Sequence, residues 1–174
     1  MVGGGASIEL VDRFCYLADM ISADGSEDAA VTAVIRSGWN KFRQSSAFLI
    51  VKGIPLRLKR MVYSSSVRSC LLHGSETWPV RRENELALLW AEMRMVRQMC
   101  DVKLSHKVAC EDLRDRLGLE DVVTVLQCNR LRWYGHVLRK DDSVWVKKCM
   151  DFVVEGVRPR GRPKRTWKEV AERM

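Results

Sequence analysis

Apolar and polar residues alternate along this chain in two rhythms, a short one at the start and a helical one afterwards. Residues 8 to 22 mix β-branched and aromatic side chains and stop at Ala23-Asp24-Gly25, which predicts one strand or a short hairpin. From Ser26 the period lengthens. Val31, Val34, Ile35, Gly38 and Phe42 fall on one helical stripe, with Ser26 placed to cap it and Glu27 and Asp28 in a first turn that favours acids. A second helix is predicted from Pro55 to about His73, where Gly74 ends it, and a third from about Arg82 to Cys100 with Leu86, Leu89, Trp90, Met93 and Val96 facing inward. A shorter helix over about 106–117 stops at Gly118, and a fifth runs from about Asp121 to Arg139. A weak helix covers 143–152. Thr166 and Glu169 form a capping-box pattern for a last helix that is barely open at Met174, so that it reads as cut short.

The pattern predicts a mainly α protein, a helical bundle with a short N-terminal β element and an extended basic tail. Its expected organisation is a flexible start at 1–7, a β element at 8–25, helical regions at 26–100 and 101–152, and the tail with the opening of a helix at 153–174. With 174 residues, 47% hydrophobic and 30% charged, the chain can bury a real core, as one domain or two small ones. No apolar run approaches the ~20 residues of a membrane span, so no membrane is expected among its partners.

Charge sharpens the picture. The formal net charge is +8, and it is unevenly spread: residues 1–50 carry 4 cations and 6 acids, while residues 51–100 carry 9 and 4. An anion-binding surface is therefore expected after residue 50, with DNA, RNA or both as partner. The six cysteines lie far apart with no Cys-x-x-Cys and no secretory signal, which predicts reduced, mostly buried thiols in an intracellular protein of the nucleus or cytoplasm. Cys100, His106, Cys110 and Cys128 can be drawn as a zinc site, but they lack the close ligand pairs that structural zinc takes, and no metal is expected.

The most pointed segment is Arg158-Pro159-Arg160-Gly161-Arg162-Pro163-Lys164-Arg165, which is similar to an AT-hook. Its prolines hold the backbone extended and remove donors, and Gly161 allows close approach to a surface. Arg160 and Arg162 then suit a narrow A·T minor groove, and Arg158, Lys164 and Arg165 suit phosphates. The plainer reading is a solvated basic linker. Two helical faces are further candidates for phosphate contact. One is Arg57, Lys59, Arg60 and Arg68 on the second helix; the other is Arg130, Arg132 and Arg139 around Trp133 and Tyr134 on the fifth. Those two rings can stack on unpaired bases, although filling a core is the commoner role for such tryptophans, and His136 beside them reads as a core or interface imidazole.

Six segments in chain order resemble the C-terminal part of reverse transcriptases from LINE-type (non-LTR) retrotransposons. Phe14-Cys15-Tyr16-Leu17-Ala18 resembles the hairpin that positions the primer end, with Ala18 in place of a glycine, which makes Phe14, Tyr16 and Leu17 its primer-grip-like residues. Ile35 to Phe42 resembles the first helix of the polymerase thumb, and Leu72-His73-Gly74-Ser75-Glu76-Thr77-Trp78 a signature in which His73 replaces tyrosine. Met93 to Cys100, Arg130 to Val137 and Gly161 to Trp167 complete the series. The resemblance implies a thumb-like region at 26–100, phosphate contacts to a template and primer duplex, and association with a palm, which another chain can supply. It does not bring catalytic residues. Asp141 and Asp142 are the paired aspartates here and follow cations rather than an apolar strand, so they read as a helix-end loop. The magnesium of polymerisation would belong to the palm, and this chain alone is expected to be no enzyme.

Overall fold

A computed structural model describes residues 10–16, 19–23, 28–78, 81–152 and 167–172. It is mainly helical, with one two-stranded antiparallel sheet near the start. Strands β1 (Arg13–Tyr16) and β2 (Asp19–Ser22) pair Phe14 with Ile21 and Cys15 with Met20. Side chains alternate across a sheet, so Phe14, Tyr16 and Ile21 share the outer face, each more than half exposed. Met20, on the other face, packs against the core.

Helix α1 (Asp28–Gln44) buries Ala30, Val31, Val34, Gly38 and Phe42, the face its apolar spacing predicts. Gly38 is required there by packing: a Cβ would collide with the side chain of Leu71, which is fully buried and has nowhere to go. A short α2 (Ser46–Leu49) follows. The helix expected from Pro55 is continuous but not uniform. It runs as α3 (Leu56–Val62), a π-helical turn (Tyr63–Arg68) and α4 (Ser69–Leu71). Serines loosen it locally: Ser65 Oγ donates to the Met61 carbonyl at 2.9 Å and Ser66 Oγ to that of Val62 at 2.6 Å, drawing on the acceptors of the regular ladder.

Helix α5 (Arg82–Met99) is the central element and packs on α1, α6 (Cys110–Leu117) and α7 (Val122–Leu138). Gly118, at φ +64°, closes α6 in the left-handed conformation, and Asp121 caps α7 by accepting from the amides of Val123 and Thr124. Helices α8 (Trp145–Asp151) and α9 (Trp167–Ala171) lie against α7. One core gathers Phe42, Tyr63, Val67, Leu71, Met95, Met99, Leu113 and Leu117; a second gathers Val31, Val34, Leu72, Trp78, Leu88, Val122 and Leu126. Both join residues on either side of position 100, so the helical regions 26–100 and 101–152 share their interior. The inward face of α5 is only partly the expected one. Met93 and Val96 are buried and Leu89 packs against the cores as expected, but Trp90 is 65% exposed and Leu86 is also at the surface; the helix is gripped from several sides and buries Leu88, Ala91, Glu92, Met95 and Met99 as well.

No helix among the described residues is long and apolar enough to cross a membrane.

Candidate nucleic-acid interface

The expected basic faces divide into cations that reach solvent and cations that do not. Arg57 is exposed, and so is Arg132, whose Nη1 donates to Asn129 Oδ1 at 3.3 Å. Arg60 is half-buried and donates to the Gly118 carbonyl at 3.2 Å. Lys59, Arg68 and Arg130 correct the expectation of a surface role. Lys59 is 4% exposed and its Nζ donates to the Met99 carbonyl at 3.0 Å, closing the end of α5 where the helix dipole favours a cation. Arg130 is 1% exposed and its Nη2 donates to the Trp78 carbonyl at 2.6 Å. Burial pulls its guanidinium below its usual value, opposed by the charge of Glu85. Alternation of cations with apolar residues put both side chains on faces that tertiary packing then covered.

Arg68 belongs to a buried network absent from the expected sites. Its Nε and Nη2 grip the two oxygens of Glu92 at 2.9 and 3.1 Å, Tyr63 Oη donates to the same carboxylate at 3.1 Å, and Arg68 also donates to the Glu120 carbonyl. Glu92 is fully buried. Its desolvation raises the carboxyl above its ordinary value, against the pull of Arg68 and the hydroxyl of Tyr63. Tyr63 is pushed well above the usual phenol range, first by burial and then by the charge of Glu92. The signal lay in the sequence: Glu92 stands four residues from both Leu88 and Val96 on an apolar stripe, where a carboxylate requires a partner.

Three of the resemblance segments meet at one edge of the bundle. Trp167 Nε1, at the start of α9, donates to the Glu76 carbonyl at 3.0 Å in the loop that follows Gly74. Its ring packs edge-on against Trp133 and Tyr134 of α7, with centroids 5.1 and 5.6 Å apart. Tyr134 Oη donates to Glu172 at 2.9 Å. Two cavities open here and share Thr77 and Trp133 as walls. One, of about 560 Å³, sets the polar groups of Ser64, Ser69, His73 and Asn129 among apolar walls that include Leu72 and Val125. The other, of about 400 Å³, is aromatic, with Trp145, Phe152 and Trp167.

The remaining candidates stay apart. Phe14 and Tyr16 stack at 6.5 Å on the hairpin, while Leu17 lies outside the described residues. Arg158, Arg160, Gly161, Arg162, Lys164 and Arg165 lie outside them too. Asp141 and Asp142 sit in the loop before α8. Asp141 accepts from the Ser143 amide at 2.8 Å, Asp142 pairs with Lys147, and these bonds hold both carboxyls below their usual range. Among the described residues, no three His, Cys, Asp or Glu side chains converge as a metal-binding group. The expectation of mostly buried thiols is corrected: Cys15, Cys128 and Cys149 are exposed and Cys70, Cys100 and Cys110 half-buried. His136 is exposed rather than in the core, on the outer side of α7.

The chain is similar to an uncharacterized transposon-derived protein of Caenorhabditis elegans, with 23% identity over 142 residues, covering 78% of this chain and 50% of the relative. It spans about half the length of that curated relative. The likeness suggests a transposable-element origin. No protein-family profile matches the chain, and no solved structure does.

Proposed function

We propose that this chain is the nucleic-acid-binding, non-catalytic thumb and tail region of a protein like the LINE-type reverse transcriptases, gripping template and primer through phosphate contacts. The observation that carries the reading is the meeting of three distant resemblance segments, Leu72–Trp78, Arg130–Val137 and Gly161–Trp167, through Trp167, Trp133 and the Glu76 carbonyl. Through Trp167 the three segments share one packed edge, as parts of a single nucleic-acid-handling unit would. The similarity to a transposon-derived protein points the same way. Exposed Arg57 and Arg132 supply phosphate-reaching charge, and the metal-holding carboxylates of polymerisation would come from a palm in another chain or segment.

The test is binding of an RNA/DNA hybrid, measured against salt. A thumb-like grip gives saturable binding whose logarithm falls linearly with the logarithm of salt, together with no primer extension when magnesium and deoxynucleotides are added. Primer extension by the pure chain would overturn the non-catalytic reading. A second reading, favoured by the run Arg158–Arg165, is an independent AT-hook-like module. It requires that Arg162→Ala abolish a preference for A·T-rich duplex in a competition gel shift. A third, favoured by the transposon-derived relative, is a mobile-element remnant, which binds nothing beyond what any basic chain holds at low salt.

A further inference from the structure

We propose that the two cavities flanking Trp133 form a site for an unpaired, single-stranded stretch of nucleic acid, with one base stacked in the aromatic cavity and the neighbouring nucleotide in the larger one. The inference rests on the nucleic-acid reading above and adds a strand class and a place. The cavities adjoin through Thr77 and Trp133, and at about 400 and 560 Å³ each lies in the range of small-ligand sites. Trp145 and Phe152 leave 72% and 71% of their surface in solvent at the mouth of the aromatic cavity. Ring faces exposed around a concavity offer stacking to any base, whatever its sequence.

The larger cavity complements this. Ser64, His73 and Asn129 offer donors and acceptors, and Ser69 and Thr77, whose hydroxyls donate to backbone carbonyls, offer acceptors, which suits the hydrogen-bonding edge of a base and a sugar. Its one wall cation, Arg68, is already matched by Glu92, and Glu76 also lines it, so phosphates belong at the rim. The helices that wall the cavities also carry exposed cations, Arg132 on α7 and Lys148 on α8. This charge favours an anionic strand and disfavours a second copy of a chain with net charge +8. A duplex cannot use the site, because its bases are stacked inside and cannot reach rings in a recess.

The experiment compares fluorescence anisotropy of a short labelled thymidine oligonucleotide and of an RNA/DNA hybrid of equal length, at one salt concentration. Trp145→Ala and Phe152→Ala remove exposed rings, and thermal melting verifies that each variant is folded. The expected result is a loss of oligonucleotide affinity between about fivefold and about a hundredfold for Trp145→Ala, a smaller loss for Phe152→Ala, and unchanged hybrid affinity. Leu104→Ala, at a residue 78% exposed and outside both cavities, serves as a control that leaves both affinities in place. If the ring variants bind the oligonucleotide as the parent does, or lose both ligands equally, the site is refuted while the duplex grip survives. If the parent binds neither ligand, the functional reading falls as well. Loss of self-association in sedimentation, rather than of oligonucleotide binding, would make the rings an interface between copies and overturn the proposal.

Discussion

The interior beneath α5 and the aromatic edge at α7, α8 and α9 use the same kinds of residue in opposite ways. Under α5, cations and a carboxylate are buried: Lys59 closes a helix end, Arg68 grips Glu92, and Arg130 holds the Trp78 carbonyl through Nη2 while its buried Nε has no partner. At the edge, large rings are left in solvent beside exposed cations, with Trp145 at 72% and Phe152 at 71%. A buried cation is turned toward the fold and cannot reach a partner, whereas an exposed one can. The difference teaches that net charge overstates the positive charge this protein presents to solvent, because part of that charge is structural.

The sharpest way to break the comparison is at its most buried member. Glu92→Ala leaves the Arg68 guanidinium unpaired and is expected to cost about 3–5 kcal/mol in chemical denaturation, enough to unfold a marginal domain. The double change Glu92→Leu with Arg68→Met should recover most of that loss, since an apolar pair replaces a matched ionic one. Failure of the double variant to recover would show that the network fixes the shape of the π-turn as well as filling it.

Arg130→Met and Lys59→Met come next. Each strands a carbonyl, of Trp78 or Met99, and is expected to lower the denaturation midpoint by an equivalent of about 1–3 kcal/mol. Because neither cation reaches solvent, the salt dependence of hybrid binding should not change in any variant that still folds. Arg57→Gln and Arg132→Gln should behave in the reverse manner. Their effect on stability should stay within about 0.5 kcal/mol, while each lowers the slope of log affinity against log salt by about one. A slope that falls for Lys59→Met but not for Arg57→Gln would invert the assignment of structural and binding charge.

The smallest expected effect is on pH dependence. Glu92 has a folded pKa raised above its unfolded one, so the native state holds more protons across that window. Stability therefore falls as pH rises from the ordinary carboxylate range through the raised value of Glu92, and Glu92→Gln should remove that fall. Asp101, bonded to Lys52, and Asp142, bonded to Lys147, have the opposite sign. Their lowered values add stability above the ordinary carboxylate range that is lost as pH falls through the lowered values, and both carboxyls are exposed. Titration of the melting temperature in the parent and in Glu92→Gln separates the two contributions.

Much of the element order was legible, for local reasons. The stripe Val31, Val34, Gly38 and Phe42 has one period and one burial face, and α1 uses both. Gly118 and Asp121 mark helix ends through backbone freedom and capping, which act within a few residues. The faces of the middle helices were less legible. On α5 the stripe through Leu86 and Trp90 and that through Leu88 and Met95 are both apolar, and only neighbours on several sides choose between them. The basic sites were harder still, because a cation beside apolar residues reads alike whether it snorkels to water or finds a carbonyl.

Sequence alone determined a mainly helical chain with a short β element at the start, most of its helix ends, its excess of positive charge and the resemblance carried by its motifs. The tertiary structure decided which charges are spent inside and which rings face out. Tyr63 and Arg68 illustrate the reason. Five residues apart, they point about 140° away from each other on a regular α-helix. In the π-helical turn, with bonds from i to i+5, they come onto one side and both reach Glu92, 24 residues beyond Arg68. Ser65 and Ser66 loosen the regular ladder locally, and the buried carboxylate arriving from α5 supplies the partner that makes the wider winding favourable.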